Sequence, residues 1–415
     1  MATIKPFAAV RPKEGMENVI SALPYDVYNR EEAKAFVTLN TKSFLKIDRA
    51  ESQFPDDVDT YDARVYKKAS DMYEEMKETG EFFSDEKPFY YTYEQTMNGR
   101  KQTGLVCTCL VDDYLNGVIK KHENTRADKE VDRINHVDTL SAQTGPIFLS
   151  YRDNAELSSF FKSFKAENEA YFDFISEDGI EHKGWKIVKD EDIAFLTKQF
   201  SKIPNLYIAD GHHRCASAAK VCLKRRESAG KVDLNAEYNY FLSVVFPDSE
   251  LMIMDYNRVV RDLNGNDCVS LLNNLSKVFD ITEKEVNDDK PSKKGDIFML
   301  ISDKEYVLSV KPEFVSNDPI DGLDVSILQN NVLKPIFGID DPKTDKRIDF
   351  VGGIRGVSEL RRRLTVDGKV AFAMYPTQMS ELFAVADANL LMPPKSTWFE
   401  PKLRSGLFIH EFERN

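Results

Sequence analysis

The sequence predicts an α+β fold, and three observations predict it. Residues 89–96 and 103–112 are rich in Tyr, Thr, Val and Cys and flank Asn98-Gly99, whose tolerance of positive φ suits a hairpin turn within a connection of more than two residues. Leu206-Tyr207-Ile208-Ala209 is a short apolar run that ends in Asp210-Gly211 and gives way to a small-residue helix over 214–224. Beyond Gly230 strands over 239–247, 297–301, 305–311 and 370–375 alternate with helices over 266–279, 323–337 and 377–388.

The other elements follow from local chemistry. Residues 3–11 and 19–28 are broken and extended, with Pro6, Pro12 and Pro24 forbidding helix across them. Asn29 with Glu32 forms a capping box that starts a helix near Arg30. Val65, Ala69, Met72, Tyr73 and Met76 recur at helical spacing over 59–79, and Gly80 supplies the stop. Thr125 with Asp128 marks another helix start, with Val131, Ile134, Val137 and Asp138 on its half-buried face. Polar helices are expected over 155–200 and a charged surface loop over 282–296. There is no internal repeat, and the change of pattern places a domain boundary near 235, between regions 1–235 and 236–415.

Composition narrows the function. A formal net charge of −13 and short, isolated basic runs at 224–226 and 361–363 argue against a nucleic-acid footprint; both runs read as solvated helix charges. No apolar run reaches the roughly 20 residues that span a bilayer. Five cysteines, an odd number without zinc spacing, read as reduced thiols of a cytoplasmic protein, with Cys107 and Cys109 on one buried face of a strand. The partners expected are small-molecule substrates, with no nucleic acid and no membrane.

Two clusters carry chemistry. In Asp210-Gly211-His212-His213-Arg214, Gly211 lets the chain turn after a strand and the next amides open a helix, which favours an anion. Arg214 adds a fork matched to phosphate oxygens, and His212 and His213 offer hydrogen bonds or proton transfer. Asp210 stands where it would meet a metal ion or serve as a turn residue. Lys120-Lys121-His122-Glu123-Asn124-Thr125-Arg126 has the same strand-before, helix-after setting, and Glu123 beside His122 has the makings of a general base. Taken alone, this second cluster reads equally as a helix cap with solvated charges. The sequence lacks the spaced histidines of a zinc site, a Walker loop, a Gly-x-Ser-x-Gly elbow and a dinucleotide fingerprint. Lys395-Ser396-Thr397, followed by Gly406-Leu407-Phe408-Ile409, would either bring a cation back to the site or dock as a C-terminal strand.

At these residues the sequence resembles the bacterial family known as domain of unknown function 1015. The resemblance rests on Ile4-Lys5-Pro6-Phe7, Val10-Arg11-Pro12, Pro24-Tyr25-Asp26-Val27, His122-Glu123-Asn124-Thr125, Asp210-Gly211-His212-His213-Arg214 and Pro393-Pro394-Lys395-Ser396-Thr397. More distantly, Asp210-Gly211-His212-His213-Arg214 resembles the phosphate-binding turn of the ParB/sulfiredoxin-like superfamily, which includes free L-serine kinases. That resemblance implies a ParB/sulfiredoxin-like catalytic core with an insertion near 150–200 and an additional α/β C-terminal region. It implies phosphoryl transfer to the hydroxyl of free L-serine from ADP, ATP or pyrophosphate, commonly with Mg²⁺. Glu123, with His122, would be catalytic; residues 210–214 would hold phosphate; Asn124, Thr125, Arg126, Lys395, Ser396 and Thr397 would meet substrate. A nucleotide-binding switch and a phosphoester hydrolase are the rival readings, and both would use the same anion site.

Overall fold

The computed structural model describes residues 1–125, 127–287 and 289–413. The chain divides into two compact units, one made of Met1–Leu251 with Pro401–Asn415 and the other of Met252–Glu400. The division follows Leu251, not residue 235, because Tyr240–Pro247 is an interior strand of the first unit's sheet.

Among the described residues, nine strands form that sheet: β1 (Ile4–Lys5), β2 (Tyr90–Met97), β3 (Arg100–Leu110), β4 (Ile119–Lys120), β5 (Ile147–Tyr151), β6 (Phe172–Ile175), β7 (Glu181–Ile187), β8 (Leu206–Asp210) and β9 (Tyr240–Pro247). Their order is β4-β8-β5-β9-β3-β2-β7-β6, with β1 paired to β3. β4 runs parallel to β8, β5 runs parallel to β9, and the other pairs are antiparallel. The β2–β3 connection is shorter than expected. Met97 pairs with Arg100, so the loop is Asn98-Gly99 alone, both at positive φ (52° and 79°). The ladder recruits polar Arg100, Lys101 and Gln102, which composition alone does not mark as strand.

The longer helices of this unit are α1 (Arg30–Leu39), α2 (Ala63–Glu78), α3 (Ala127–Leu140), α4 (Ala155–Glu167), α5 (Asp190–Phe200) and α6 (His212–Ala229). The Asn29 and Glu32 capping box is present, and α2 buries the five apolar residues expected of it. Residues 155–200 are not helical throughout, because α4 and α5 flank the antiparallel β6–β7 pair at the sheet edge. The buried face of α3 also differs from the expected one. Val131 is 56% exposed, whereas Glu130, Arg133, His136 and Leu140 are buried. That inward polar face proves central to the site.

One face of the sheet presents Leu105, Cys107, Cys109, Leu149 and Ile208 to a core completed by Leu157 and Phe161 of α4, Leu196 and Phe200 of α5, and Cys215 and Cys222 of α6. A second core gathers α2, Phe44, Leu45, Phe82 and Ile409. The basic run 224–226 is not a simple solvated face. Arg225 is buried, donates to Asp138 and Ser141, and lies over the Phe412 ring at 4.5 Å. Its charge is matched inside the fold, which solvated-helix reasoning does not foresee.

In the second unit six strands pair antiparallel throughout: β10 (Tyr256–Val260), β11 (Phe279–Lys284), β12 (Asp296–Ile301), β13 (Lys304–Val310), β14 (Ile348–Gly352) and β15 (Val370–Ala373), in the order β11-β13-β12-β15-β10-β14. Helices α7 (Cys268–Leu275), α8 (Gly356–Val366) and α9 (Met379–Asp387) accompany the sheet. Val357 and Leu360 of α8 pack on Val259, Leu300 and Ala371. This antiparallel sheet makes the region α+β, not α/β. The charged stretch after residue 278 begins as an edge strand, where β11 pairs with β13 through its backbone. The helix expected over 323–337 is a short α-helix, Asp324–Leu328, that passes into a π-turn, Gln329–Leu333.

Arg11, from Val10-Arg11-Pro12, is a buried latch in the first unit. Its Nε and Nη2 donate to the two oxygens of Asp85 at 2.9 and 2.8 Å, and its guanidinium lies 4.6 Å from the Phe83 ring centre and 4.5 Å from that of Tyr171. Lys186 also donates to Asp85, at 2.7 Å. Breaking a buried pair from one side strands the other charge, at a typical cost of about 3–5 kcal/mol. Asp85→Ala is expected to destabilise the first unit by that order, and Arg11→Ala by less, because Lys186 still answers Asp85. Urea unfolding of the three proteins measures the difference.

Candidate active site

The site grows from two neighbouring strand-to-helix turns. β4 and β8 are parallel, with Ile119 opposite Leu206 and Lys120 opposite Tyr207, so both strands end at the same edge. Their following helices, α3 and α6, pack against each other. Carboxyl ends of adjacent parallel strands are where sheet proteins commonly gather ligands. β8 carries a bulge against β5 between Ile208 and Asp210, which re-aims the chain just before the turn.

Gly211 is the N-cap of α6 at φ 93°, ψ 32°, and it has no side chain to cap the helix. The positive φ favours glycine, and a Cβ there would also press on the Arg214 guanidinium, 3.0 Å from Nε and 3.1 Å from Cζ. The first-turn amides of an 18-residue helix, together with its dipole, give this edge a positive end.

The two clusters meet through histidines. The rings of His122 and His212 cross at 89° with centroids 4.5 Å apart, and the His122 backbone N–H points to His212 Nε2 at 3.5 Å. Both side chains are buried. Burial lowers the His122 imidazole to about 4, against the pull of Asp210. Burial likewise takes His212 well below the ordinary value, and the neighbouring His122 adds to that. Both rings are therefore neutral at pH 7, hydrogen-bonding groups and not cations. Glu123 follows His122 in the same loop, half-buried, and Asn124 is exposed.

Asp210 is the electrostatic hub. Arg214 Nη2 donates to its Oδ2 at 2.7 Å, and Lys402 Nζ lies 3.3 Å from its Oδ1. Burial alone would raise this carboxyl, but Lys402 and Arg214 outweigh it and hold it at about 2. Arg214 Nη1 donates to the Pro146 carbonyl. The fork expected to grip phosphate is turned onto Asp210 and Pro146 in this structure. Lys402, missed by sequence reasoning, is the cation that the C-terminal segment contributes here. A spacing of 192 residues from Asp210 gives no local signal of it.

Thr125 donates to Glu130, which also accepts from Lys220 of α6, so Thr125 ties the loop to both helices. Arg126 lies outside the described residues. Lys395, Ser396 and Thr397 belong to the second unit, where the Lys395 carbonyl accepts from Arg258 at 3.1 Å and Ser396 Oγ donates to the Pro393 carbonyl at 2.7 Å. Among the described residues no group of three or more His, Cys, Asp or Glu side chains could hold a metal ion. Asp210, committed to two cations, is a poor magnesium ligand.

This is an α+β protein with a polar, histidine-lined turn at the ends of two parallel strands. Residues 4–326 match the family described as "Protein of unknown function (DUF1015)", and the chain belongs to that family. No curated protein matches it. Among solved structures, a free serine kinase in complex with AMP is similar over 71% of this chain and 86% of its own, at 13% identity and a TM-score of 0.35. A conserved hypothetical protein from Pyrococcus furiosus is similar over 73% and 93%, at 14% and 0.35. SbnI from Staphylococcus aureus, truncated at its C-terminus, is similar over 71% and 82%, at 11% and 0.36. Likeness this distant leaves activity to be argued from the site itself.

The buried histidines make stability depend on pH. His122 binds a proton more readily unfolded, at about 6.5, than folded, at about 4. Its contribution is therefore full above pH 6.5 and is lost as pH falls through 4. His122→Gln is expected to lose less stability than the unmodified protein between pH 7 and 4.5, by about 2–3 kcal/mol. Urea unfolding at the two pH values reads this directly.

Proposed function

We propose that the protein is a small-molecule kinase that moves a phosphoryl group from ADP, ATP or pyrophosphate to the hydroxyl of free L-serine, on a ParB/sulfiredoxin-like catalytic core. The observation that supports it best is the contact of His122 with His212. It puts a carboxylate-bearing loop beside an uncapped helix start, the two halves a phosphoryl transfer needs. Such transfer is mostly positioning and charge stabilisation. In this reading the amides after Gly211 and the charge of Lys402 receive the transferring phosphoryl group, while His122 and His212 donate hydrogen bonds as neutral rings. Glu123 takes the proton of the serine hydroxyl as the new O–P bond forms. The bridging O–P bond of the donor breaks, and its electron pair leaves with AMP, ADP or phosphate.

Phosphorus NMR of the protein with L-serine, Mg²⁺ and each donor in turn is expected to show O-phosphoserine with at least one of them. A folded protein that gives none with all three overturns the reading. Glu123→Gln is expected to keep donor binding and slow turnover by about 10²–10⁴-fold, the usual contribution of a general base. A loss below about tenfold would remove Glu123 from the chemistry.

A further inference from the structure

A cavity in the first unit, of about 30 Å³, is lined by Tyr25, Asp48, Arg133, His136, Thr144 and, from the turn described above, Arg214 among others. That volume exceeds the room one water needs, about 10–15 Å³, and suits a charged head group better than a nucleotide. Arg133 reaches it from α3 and is only 7% exposed. Its guanidinium is clamped: the centre lies 4.0 Å from the Tyr25 ring centroid, and Nε and Nη2 lie 2.9 and 2.8 Å from Asp132 Oδ2. Asp132 is itself held by the Tyr66 hydroxyl at 3.0 Å. The third nitrogen, Nη1, has no hydrogen-bond partner among the described residues. A guanidinium fixed on its face and one edge, with its remaining end open in a cavity, is built to receive an oxyanion.

The same cavity holds the opposite charge. Asp48 is 4% exposed, accepts from Thr144 Oγ1 at 2.9 Å, has His136 Nε2 at 3.5 Å, and is also held by Ser405 and by the charge of Arg133. Arg133 and Arg214 are each already opposed by their own aspartate, Asp132 and Asp210. A purely anionic ligand would face Asp48, and a purely cationic one would face Arg133, since both line the cavity. A ligand with a carboxylate and an ammonium a few bonds apart answers both. We propose that this cavity is the head-group subsite for an α-amino acid, with Arg133 Nη1 donating to its carboxylate and Asp48 accepting from its ammonium. The kinase reading supplies serine as the natural candidate, but binding in this subsite needs no phosphoryl transfer.

The test is calorimetric titration of the full chain with each of the twenty amino acids, with L-serinamide, which lacks the carboxylate, and with 3-hydroxypropionate, which lacks the ammonium. At least one amino acid, L-serine first, is expected to bind. Both analogues are expected to bind at least about tenfold more weakly, as the loss of one charge-assisted contact implies. Arg133→Lys and the paired change Asp132→Asn with Arg133→Gln, the latter leaving no stranded carboxylate, are expected to weaken amino-acid binding by a similar factor while circular dichroism reports a native fold. The subsite is overturned if no amino acid binds the unmodified protein, or if a folded variant binds serine as tightly as it does. Serine binding that depends on Arg133 while no donor yields phosphoserine would sink the kinase reading alone. Phosphoserine formed with an unchanged serine KM in the folded Arg133 variants would sink the subsite alone.

Discussion

The carboxylate of Asp210 is the point on which the site depends. It ends a strand, precedes the glycine that opens α6, and is held by one cation from the helix and one from the C-terminal segment. Without it Arg214 and Lys402 would face each other across a half-buried turn. A carboxylate placed against two cations forms a local charge pattern that the overall charge of −13 does not reveal. An acidic protein can thus present a positive helix end to an anion locally.

The same device recurs in the interior of the first unit. Arg11 is matched by Asp85, Arg133 by Asp132 and Arg225 by Asp138, each within the fold. Buried pairs like these contribute little net stability compared with apolar packing, but they punish any misplacement of one partner. Three of the four arginines concerned, Arg133, Arg214 and Arg225, lie on the two helices that follow β4 and β8. The helices are therefore fixed in rotation by charge as well as by the apolar contacts of Cys215, Ala218 and Cys222.

Much of the fold was legible in the sequence where local chemistry decides it. The Asn29 capping box, the apolar stripe of α2, the strand before Asp210 and the buried faces of Cys107 and Cys109 follow from spacing alone. β6 and β7 were not legible, because edge strands bond through their backbones and tolerate Glu181, Lys183 and Lys186 on their sides. The inward face of α3 was misread for a related reason: Arg133 and His136 look like surface residues until their partners, distant in sequence, are known. Both chemical clusters were visible as strand-to-helix turns. That their strands are neighbours, and that Lys402 joins them, depends on contacts across about a hundred residues or more, which no local pattern encodes.

The first unit is discontinuous, since it is completed by residues that follow the whole of the second. Ile409 bridges to Val10, His410 and Glu411 pair with Gln143 and Ala142, and Ser405 exchanges backbone hydrogen bonds with Ala22. On a ribosome the order of synthesis then matters. Met252–Glu400 must be made before Lys402 emerges, which at about 5–20 residues per second takes on the order of ten to thirty seconds. Through that interval Asp210 is present but its lysine is not. Maturation of the histidine-lined turn is therefore tied to the synthesis of the segment from residue 401 onward, so a translation product interrupted before it carries every residue of both motifs and still lacks the finished site.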